Sequence, residues 1–491
     1  MMTKSNVSKG NTHQIRRGFF WYCLLLGFLF LPMENGMASC FSWIVLGVIG
    51  ALLWRPGESP ALVFALSVQW LQASIVLLYG SITGISAVDY HQGEFGNEAA
   101  LLCLGGLMFL AMGIRVISGR QDPRVAVRIA EQARSISIRR MFGIWCIAFI
   151  IALIAKEVSI RSGGLRQFIL PFASLGMIAL SLLTYKVISE GKGSVLLGCA
   201  VMAELVVQLL GFFSSFKLVF FVLMMGSVAG MRRITARHVF LGASLFLILV
   251  FLLVGYTSIK MEYRTLLQGG NNNLQGIAIS RNAQVSGLIS LVSGITWRNF
   301  DEGAHEMLSR IDYTHYFSKV QEQVPDHIPH ENGRLWREAI MFVAMPRILF
   351  PNKPIVDDSK KTNTYIIEKV AGMDRGTTVS LGYICETFID FGRIGMMFVM
   401  FLLGLFVGWG QRMFVYSAYP FLGMGIVIQI FGLGFHLMES STTILLGGIV
   451  IQCIILWSAF AVFARSIGRI QGHAPLLQAA LRENLTESPK T

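Results

Sequence analysis

A proline-rich stretch in the polar middle of the chain holds two cations in fixed directions. Three prolines occur in the nine residues from Pro346 to Pro354, and their restricted backbone angles orient Arg347 and Lys353. A guanidinium group stays charged and binds the oxygens of a phosphate bidentately. We therefore expect Arg347 to contact an anionic group, whereas an ion pair with Asp357 would explain Lys353 without any function.

Three further cations lie where a solvated surface charge is not the only explanation. Lys217 begins an apolar stretch, where it either holds an anion or extends its ammonium to the membrane interface. Arg264 follows an apolar stretch on the side of the membrane where positive charge is disfavoured. Arg337 lies on one face of a predicted helix with Arg334, and an ion pair with Glu338 is its alternative explanation.

One carboxyl group is placed to act as a base. Glu386 stands just outside a predicted membrane span, where a low dielectric raises the pKa of a carboxyl and suits it to general-base catalysis. Three histidines are alternatives, although a loop histidine is more often a surface residue than a catalyst: His315, His330 and His436.

The elements that position these side chains are membrane helices. Of 491 residues, 54% are hydrophobic and 14% are charged, and the mean hydropathy is +0.60, which excludes an ordinary soluble domain. The net charge is +13, yet residues 259–391 carry 14 basic and 15 acidic side chains. The excess of positive charge therefore lies in short loops and at the termini, a pattern typical of membrane orientation and not of nucleic-acid binding.

Apolar runs of the length that a bilayer requires predict twelve spans in an all-α, polytopic membrane protein. The predicted spans are 18–32, 38–54, 61–80, 97–117, 141–155, 167–185, 194–212, 216–231, 239–258, 393–410, 417–435 and 442–463.

The distribution of Lys and Arg orients these spans. With twelve spans, the basic groups near residues 16–17, 115–140, 232–237 and 465–469 all fall on one side, which predicts cytoplasmic N- and C-termini. The segment 81–96 and the polar segment then fall on the other side. The chain divides into a nine-helix membrane part (1–258), a large outer loop (259–391), a three-helix membrane part (392–464) and a cytoplasmic tail (465–491).

Cysteine and carboxylate spacing predicts neither a disulfide framework nor a metal site. The seven cysteines are scattered and mostly fall within spans, and the large loop contains only Cys385. Asp357 and Asp358 form an adjacent acidic pair of that loop, and a solvated turn explains them better than a cation site. We expect no metal and no cofactor.

Motifs around these candidates resemble a known family. Pro346-Arg347-(x)3-Pro351-x-Lys353-Pro354, followed by Gly382-(x)3-Glu386-(x)5-Gly392-(x)2-Gly395, resembles the bacterial O-antigen polymerase family, the Wzy-like oligosaccharide repeat-unit polymerases. The resemblance covers residues about 210–410. It extends to three shorter elements: Ser214-Ser215-Phe216-Lys217, Tyr263-Arg264, and Arg310-Ile311-Asp312 followed by Gly333.

The resemblance implies a GT-C-like membrane enzyme of the bacterial inner membrane. Such an enzyme moves a growing glycan from undecaprenyl diphosphate to the next lipid-linked repeat unit at the periplasmic face, during O-antigen or exopolysaccharide synthesis. Its implied partners are that lipid-linked oligosaccharide, membrane lipid, and a chain-length regulator or flippase. Lys217, Arg264, Arg347 and Lys353 would then hold the diphosphate, with Arg347, Glu386 and Arg337 as catalytic residues.

Three other functions remain open at this point. A ligase that passes a finished glycan to another acceptor would handle its donor in the same way. A transporter or flippase predicts internal repeats and ionisable residues inside the spans, of which Glu204 and Lys156 are the main examples. A non-catalytic assembly scaffold would tolerate the loss of Arg347.

Overall fold

The computed structural model of the protein describes residues 4–91, 93–119, 122–209, 215–231, 236–269, 278–347, 349–350, 352–353, 356–367 and 379–461. Every regular element in these ranges is a helix, as the sequence predicts. Arg375 and the predicted tail 465–491 lie outside the described residues, as do Ser214, Pro351 and Pro354 of the quoted motifs.

Twenty α-helices are described. In chain order they are α1 (Lys4–Phe30), α2 (Gly36–Leu53), α3 (Ala61–Thr83), α4 (Ala87–His91), α5 (Gly96–Ser118), α6 (Pro123–Ser135), α7 (Ile138–Arg161), α8 (Arg166–Ile169), α9 (Leu175–Glu190), α10 (Ser194–Leu209), α11 (Lys217–Gly230), α12 (Ala236–Leu267), α13 (Arg281–Ser293), α14 (Trp297–Ile311), α15 (Thr314–Gln321), α16 (Arg334–Ala344), α17 (Asp358–Ile366), α18 (Tyr383–Val415), α19 (Pro420–Val427) and α20 (Thr442–Ala461).

Eight helical segments of the described chain are long and apolar enough to cross a membrane, so the protein is a polytopic membrane protein. They are α2, α3, α5, α7, the segment Gly163–Glu190 that contains α8 and α9, Gly242–Leu267 of α12, α18 and α20. Three other predicted spans, 194–212, 216–231 and 417–435, fall on the shorter apolar helices α10, α11 and Pro420–Leu433. The first predicted span, 18–32, lies mostly in α1, whose N-terminal half is polar.

The centre of the fold is a close crossing of α5 and α18. A Cβ atom added at Gly113 would lie 2.1 Å from the Phe401 carbonyl oxygen, and one added at Gly404 would lie 2.2 Å from the Leu110 carbonyl oxygen. The two backbones are therefore in direct contact. Small residues allow this approach between helices in a bilayer, where packing replaces the hydrophobic effect as the main source of association.

Helix α18 bends at Gly392, the residue that begins the predicted three-helix part. Its φ of 67° is accessible to glycine and strained for other residues. The piece before the bend, Tyr383–Asp390, is buried along its whole length, and Phe391 is the first exposed residue. The C-terminal end of the predicted outer loop is thus part of the core and continues into a membrane helix.

Helices α13 and α14 form a hairpin that folds back along α12. Gly287 of α13 packs on Leu266, the turn places Ile295 beside Gly255, and Phe300 of α14 stacks on Phe251 with ring centroids 5.0 Å apart. The apolar pattern of the sequence predicts one helix from Asp301 to about Val324. That prediction is wrong, because the chain leaves α14 at Asp312 and starts α15 at Thr314.

Candidate functional site

Four cations from three helices meet at one end of the bundle. Lys260 and Arg264 lie one turn apart on α12, so they share a face. The charge of Lys260 is coupled most strongly to Arg310 at the end of α14, then to Arg264 and to Lys217 at the start of α11. We call Lys217, Lys260, Arg264 and Arg310 the cation cluster.

The hairpin is what brings Arg310 to α12. Gly303 of α14 packs directly on α12, because a Cβ atom there would lie 2.9 Å from both the Val254 carbonyl oxygen and the Ser258 side chain. From this contact α14 runs towards the end of α12, which carries Arg310 to the level of Lys260. Glu306 pairs with Arg310 on the exposed side of α14.

A partly buried acid lies next to the cation cluster. Glu439 lies in the connection between α19 and α20, and burial raises the pKa of its carboxyl group, while the charges of Lys217 and Lys260 oppose that shift. A carboxyl group with a raised pKa can accept a proton from a substrate. The cations beside it can hold an anionic group of the same substrate.

His436 lies one helical turn before Glu439 in the sequence. Its Nδ1 donates to the Leu433 carbonyl oxygen at 2.6 Å, while its buried Nε2 has no hydrogen-bond partner among the described residues. Burial lowers the pKa of His436 to about 4, and the charge of Lys217 adds to this effect. The ring is therefore neutral at physiological pH, and its Nε2 is available as a hydrogen-bond acceptor.

Polar side chains of α3 hold the segment that carries His436 and Glu439. The Gln72 side-chain oxygen accepts from the backbone N–H of Met438 at 2.9 Å, and the Gln72 carbonyl oxygen accepts from the N–H of Tyr313 at 3.3 Å. Gln69, one turn earlier, accepts from the Tyr383 hydroxyl at 2.6 Å. These buried bonds hold the residue before Glu439, the start of α15 and the buried end of α18 against one helix.

Tyr313 lies between Glu439 and Glu386. Burial, followed by the charge of Glu439, raises the pKa of the Tyr313 phenol well above its ordinary value, and Glu386 contributes in the same direction. The phenol therefore remains protonated and can donate a hydrogen bond. The predicted base, Glu386, is thus close to the segment that carries His436 and Glu439.

Both oxygens of Glu386 are already engaged in the structure. Its side chain is 1% exposed, and Oε1 accepts from the Lys361 ammonium at 2.8 Å. Oε2 accepts from the backbone N–H of Thr442, the first residue of α20, at 2.9 Å. This arrangement gives Glu386 an evident positioning role, since it fixes α17 and the beginning of α20.

Arg347 and Lys353 lie together after the end of α16. The Lys353 ammonium donates to the carbonyl oxygens of Phe342 and Met345, the latter at 2.8 Å, and lies over the Phe342 ring. Burial lowers the pKa of Lys353, and the charge of Arg347 lowers it further. Lys353 therefore closes the C-terminal end of α16, while Arg337 lies on the exposed face of that helix.

The comparisons with known proteins place most of this site inside one family. A family model described as a domain of unknown function, DUF8712, matches residues 101–413, which is more than half of the chain. The chain belongs to this family. No curated protein and no solved structure matches it.

The residues that match the DUF8712 model include only part of the candidate site. All four residues of the cation cluster and Glu386 lie within the matched residues, whereas His436 and Glu439 follow them. In this protein the cations and the adjacent acid therefore come from different parts of the chain.

Sequence reasoning missed Lys260 and Glu439. The spacing of Lys260 and Arg264 was a usable signal, because a lysine four residues before an arginine near the end of an apolar helix places two cations on one face. Glu439 gave a weaker signal, an acid three residues after His436 in a short break between two apolar segments. Among the described residues, no group of three or more His, Cys, Asp or Glu side chains is arranged to hold a metal ion.

Proposed function

We propose that this protein is a membrane glycosyltransferase that polymerises lipid-linked oligosaccharide repeat units. The observation that carries the proposal is that four cations lie close enough for their charges to interact, beside the partly buried carboxyl group of Glu439. An anionic leaving group and a hydroxyl nucleophile need these two kinds of group side by side. The motif resemblance of residues about 210–410 to Wzy-like polymerases supports the same reaction.

The proposed reaction exchanges one bond for another. The bond between the anomeric carbon of the donor glycan and the oxygen of undecaprenyl diphosphate breaks, and the diphosphate departs with the electron pair. The cation cluster stabilises that charge. An acceptor hydroxyl of the next lipid-linked unit forms the new glycosidic bond and gives its proton to Glu439. We assign the base to Glu439 in preference to Glu386, because both Glu386 oxygens already accept hydrogen bonds.

In this proposal, Arg347 and Arg337 contact the substrate away from the cation cluster. Both lie on or directly after α16, which packs on the buried part of α18 through hydrogen bonds from Leu335 and Trp336 to Asp390. There they would contact the glycan or the diphosphate as the substrate extends from the cation cluster. Lys353 would support Arg347 from its position at the end of α16.

We also propose twelve membrane spans, with both termini in the cytoplasm and residues 259–391 in the periplasm. Contacts at the two ends of the bundle support this topology. His91 and Asp312 are 2.7 Å apart, which joins the segment 81–96 to the large loop. At the other end, Arg128 donates to Ser417 and Arg412 donates to Ile117, which joins segments rich in arginine.

The test is a glycan-length assay on the full protein in liposomes, with undecaprenyl-diphosphate-linked repeat units and no nucleotide sugar. The wild-type protein should produce a ladder of lengthening lipid-linked products. Lys260→Ala and Lys217→Ala should each slow its formation by roughly 10- to 100-fold, the effect of one lost charge-assisted contact. Lys217→Arg should retain more activity than Lys217→Ala, because a cation remains.

Arg298→Ala is the matched control. Arg298 is an exposed cation of the same hairpin that pairs with Glu302, and its loss should leave the ladder unchanged. Movement of intact units across the bilayer without a ladder would identify a transporter and overturn the proposal. Transfer to a different acceptor without lengthening would identify a ligase.

A further inference from the structure

An apolar groove opens between α1, α2 and α5 at the end of the bundle opposite the cation cluster. It has a volume of about 680 Å³, and its walls include Phe20, Trp21, Ala51 and Leu52. Trp21 is 62% exposed, so the groove opens towards the surface that lipid would cover. An acyl chain fits such a wall better than water does.

Three arginines border the same groove: Arg16, Arg17 and Arg115. Arg16 is held by a hydrogen bond from its guanidinium to the Trp54 carbonyl oxygen, while its buried Nε has no hydrogen-bond partner among the described residues. The groove therefore combines an apolar wall with a cationic rim, and part of a buried guanidinium on that rim is unsatisfied.

The charges around Arg16 are poorly balanced. Burial lowers the pKa of Arg16, and repulsion from Arg115 and Arg55 lowers it further, while Glu58 opposes these effects. Burial also raises the pKa of Glu58, which weakens its action as a counter-charge. A bound anion would relieve this repulsion.

We propose that this groove binds one anionic glycerophospholipid of the adjacent leaflet, with its phosphate against Arg16, Arg17 and Arg115 and one acyl chain along the apolar wall. A free phosphate would use the rim alone and leave the wall exposed, so both halves of the groove favour a lipid. Basic residues at the edge of a membrane helix attract anionic headgroups in this way. The site is independent of the proposed transferase reaction.

Native mass spectrometry of the full protein, after exchange into dioleoyl phosphatidylglycerol or dioleoyl phosphatidylcholine, tests the proposal. The wild-type protein should retain phosphatidylglycerol in preference to phosphatidylcholine. Each of Arg16→Gln, Arg17→Gln and Arg115→Gln should weaken retention by roughly fivefold, the effect of one interfacial cation. The double variant Arg139→Gln/Arg140→Gln, which removes two exposed arginines from the first turn of α7, should bind as the wild type does.

A second variant tests the apolar wall and leaves every cation in place. Ala51→Trp fills the groove, so it should release phosphatidylglycerol while the protein still elutes as a single folded species in size-exclusion chromatography. Unchanged retention in Ala51→Trp would show that the lipid does not occupy the groove. Equal binding of phosphatidylcholine, or full retention in all three arginine variants, would overturn the proposal.

Discussion

At the scale of single residues, the cation cluster brings four positive charges close enough to interact. Four cations from α11, α12 and α14 are accompanied by Glu306 on the outer side and Glu439 on the inner side. Keeping like charges together costs free energy, and a protein retains such an arrangement where an anion binds. In the proposed reaction, the diphosphate of the donor would bind at these cations.

Glu439 gives the first prediction at this scale. A base must be ionised to accept a proton, and burial raises the pKa of Glu439 above the ordinary value of a glutamate, about 4.3. The rate should therefore be full at pH values above that raised pKa and fall as the pH decreases through it. A pH profile of ladder formation at saturating donor measures this limb.

Glu439→Gln removes the titrating group and should reduce the rate by roughly 10²- to 10⁴-fold, the usual contribution of general-base catalysis. The residual rate should no longer decrease at acidic pH as the wild-type rate does. His436→Gln serves as a comparison, because the imidazole is already neutral at physiological pH and should not produce that limb. A wild-type acidic limb in Glu439→Gln would assign the titration to another group.

Glu386 gives a second prediction, which separates positioning from catalysis. Glu386→Gln keeps the shape of the side chain but leaves the ammonium of Lys361 with only the more distant carboxylate of Asp358, 3.8 Å away, in a largely buried site. Loss of one partner of a buried ion pair costs about 3–5 kcal/mol. The variant should therefore unfold at a lower temperature in a detergent-based thermal assay.

The double variant Glu386→Gln/Lys361→Met should recover much of that stability, because the cation that lost its closer partner is removed as well. Recovery of stability together with activity would confirm a positioning role. A stable Glu386→Gln protein that forms no ladder would instead restore Glu386 as the base.

The sequence predicted individual cations better than it predicted their arrangement. Lys217 and Arg264 were candidates from their positions beside apolar stretches, and the structure brings both to Lys260. Glu439 could not be placed there by spacing, because it is 179 residues from Lys260. Its position depends on contacts such as the hydrogen bond that Gln72 of α3 accepts from Met438, the residue before Glu439. Contacts of this kind depend on the packing of whole helices.

At the scale of elements, the buried beginning of α18 organises its neighbours. Asp390 accepts from the backbone N–H groups of Leu335 and Trp336 at 3.0 and 2.8 Å, and so caps the start of α16. One turn earlier, Glu386 does the same for Thr442 at the start of α20. Carboxylates at helix N-termini satisfy free N–H groups and interact favourably with the helix dipole.

This capping role explains why two acids occur four residues apart in an otherwise apolar helix. From the sequence, Glu386 was predicted to be a base because the low dielectric beside a membrane span raises the pKa of a carboxyl group. The structure shows its relation to Asp390, which no local pattern could provide, since the capped N–H groups of Leu335 and Thr442 lie 55 residues before Asp390 and 56 residues after Glu386.

The crossing of α5 and α18 gives a prediction at this scale. Gly113→Val would place methyl groups where the Phe401 carbonyl oxygen lies, so the two helices would have to separate. Overpacking of this kind costs about 1–3 kcal/mol or more. The variant should show a lower apparent Tm, measured by fluorescence-detected size-exclusion chromatography after heating.

Gly143→Val is the matched control, because a Cβ atom at Gly143 of α7 would have no atom within 4 Å. That substitution should leave the apparent Tm nearly unchanged, since β-branched residues are well tolerated in apolar membrane helices. Equal effects of the two substitutions would mean that glycine is needed for helix flexibility and that the close crossing has little importance.

At the scale of the whole molecule, the fold places two cationic regions at opposite ends. Helix α3 connects them, since it begins near the arginine-rich segments and ends near the segment that carries His91. The cation cluster lies at the His91 end, because Arg310 directly precedes Ile311 and Asp312, the partner of His91. The lipid groove lies at the arginine-rich end.

The sequence predicted the helical membrane architecture, because apolar runs of span length depend on composition, whereas the orientation indicated by Lys and Arg stays a prediction. It gave less about the polar segment, whose α13–α14 hairpin returns along α12 and makes the site possible. Neither apolar periodicity nor proline content predicts such a return. The decisive contacts, such as Gly303 on Ser258, join residues that are distant in the sequence.

The proposed topology gives the last prediction. In a variant whose native cysteines are replaced, Asp89→Cys and Asp326→Cys place exposed thiols in the two segments expected to face the periplasm. Arg124→Cys and Arg140→Cys place exposed thiols in the arginine-rich region. A membrane-impermeant maleimide should label the first pair in intact cells and the second pair only after permeabilisation. Labelling of Arg124→Cys in intact cells would reverse the orientation and place the cation cluster on the side where nucleotide sugars are present.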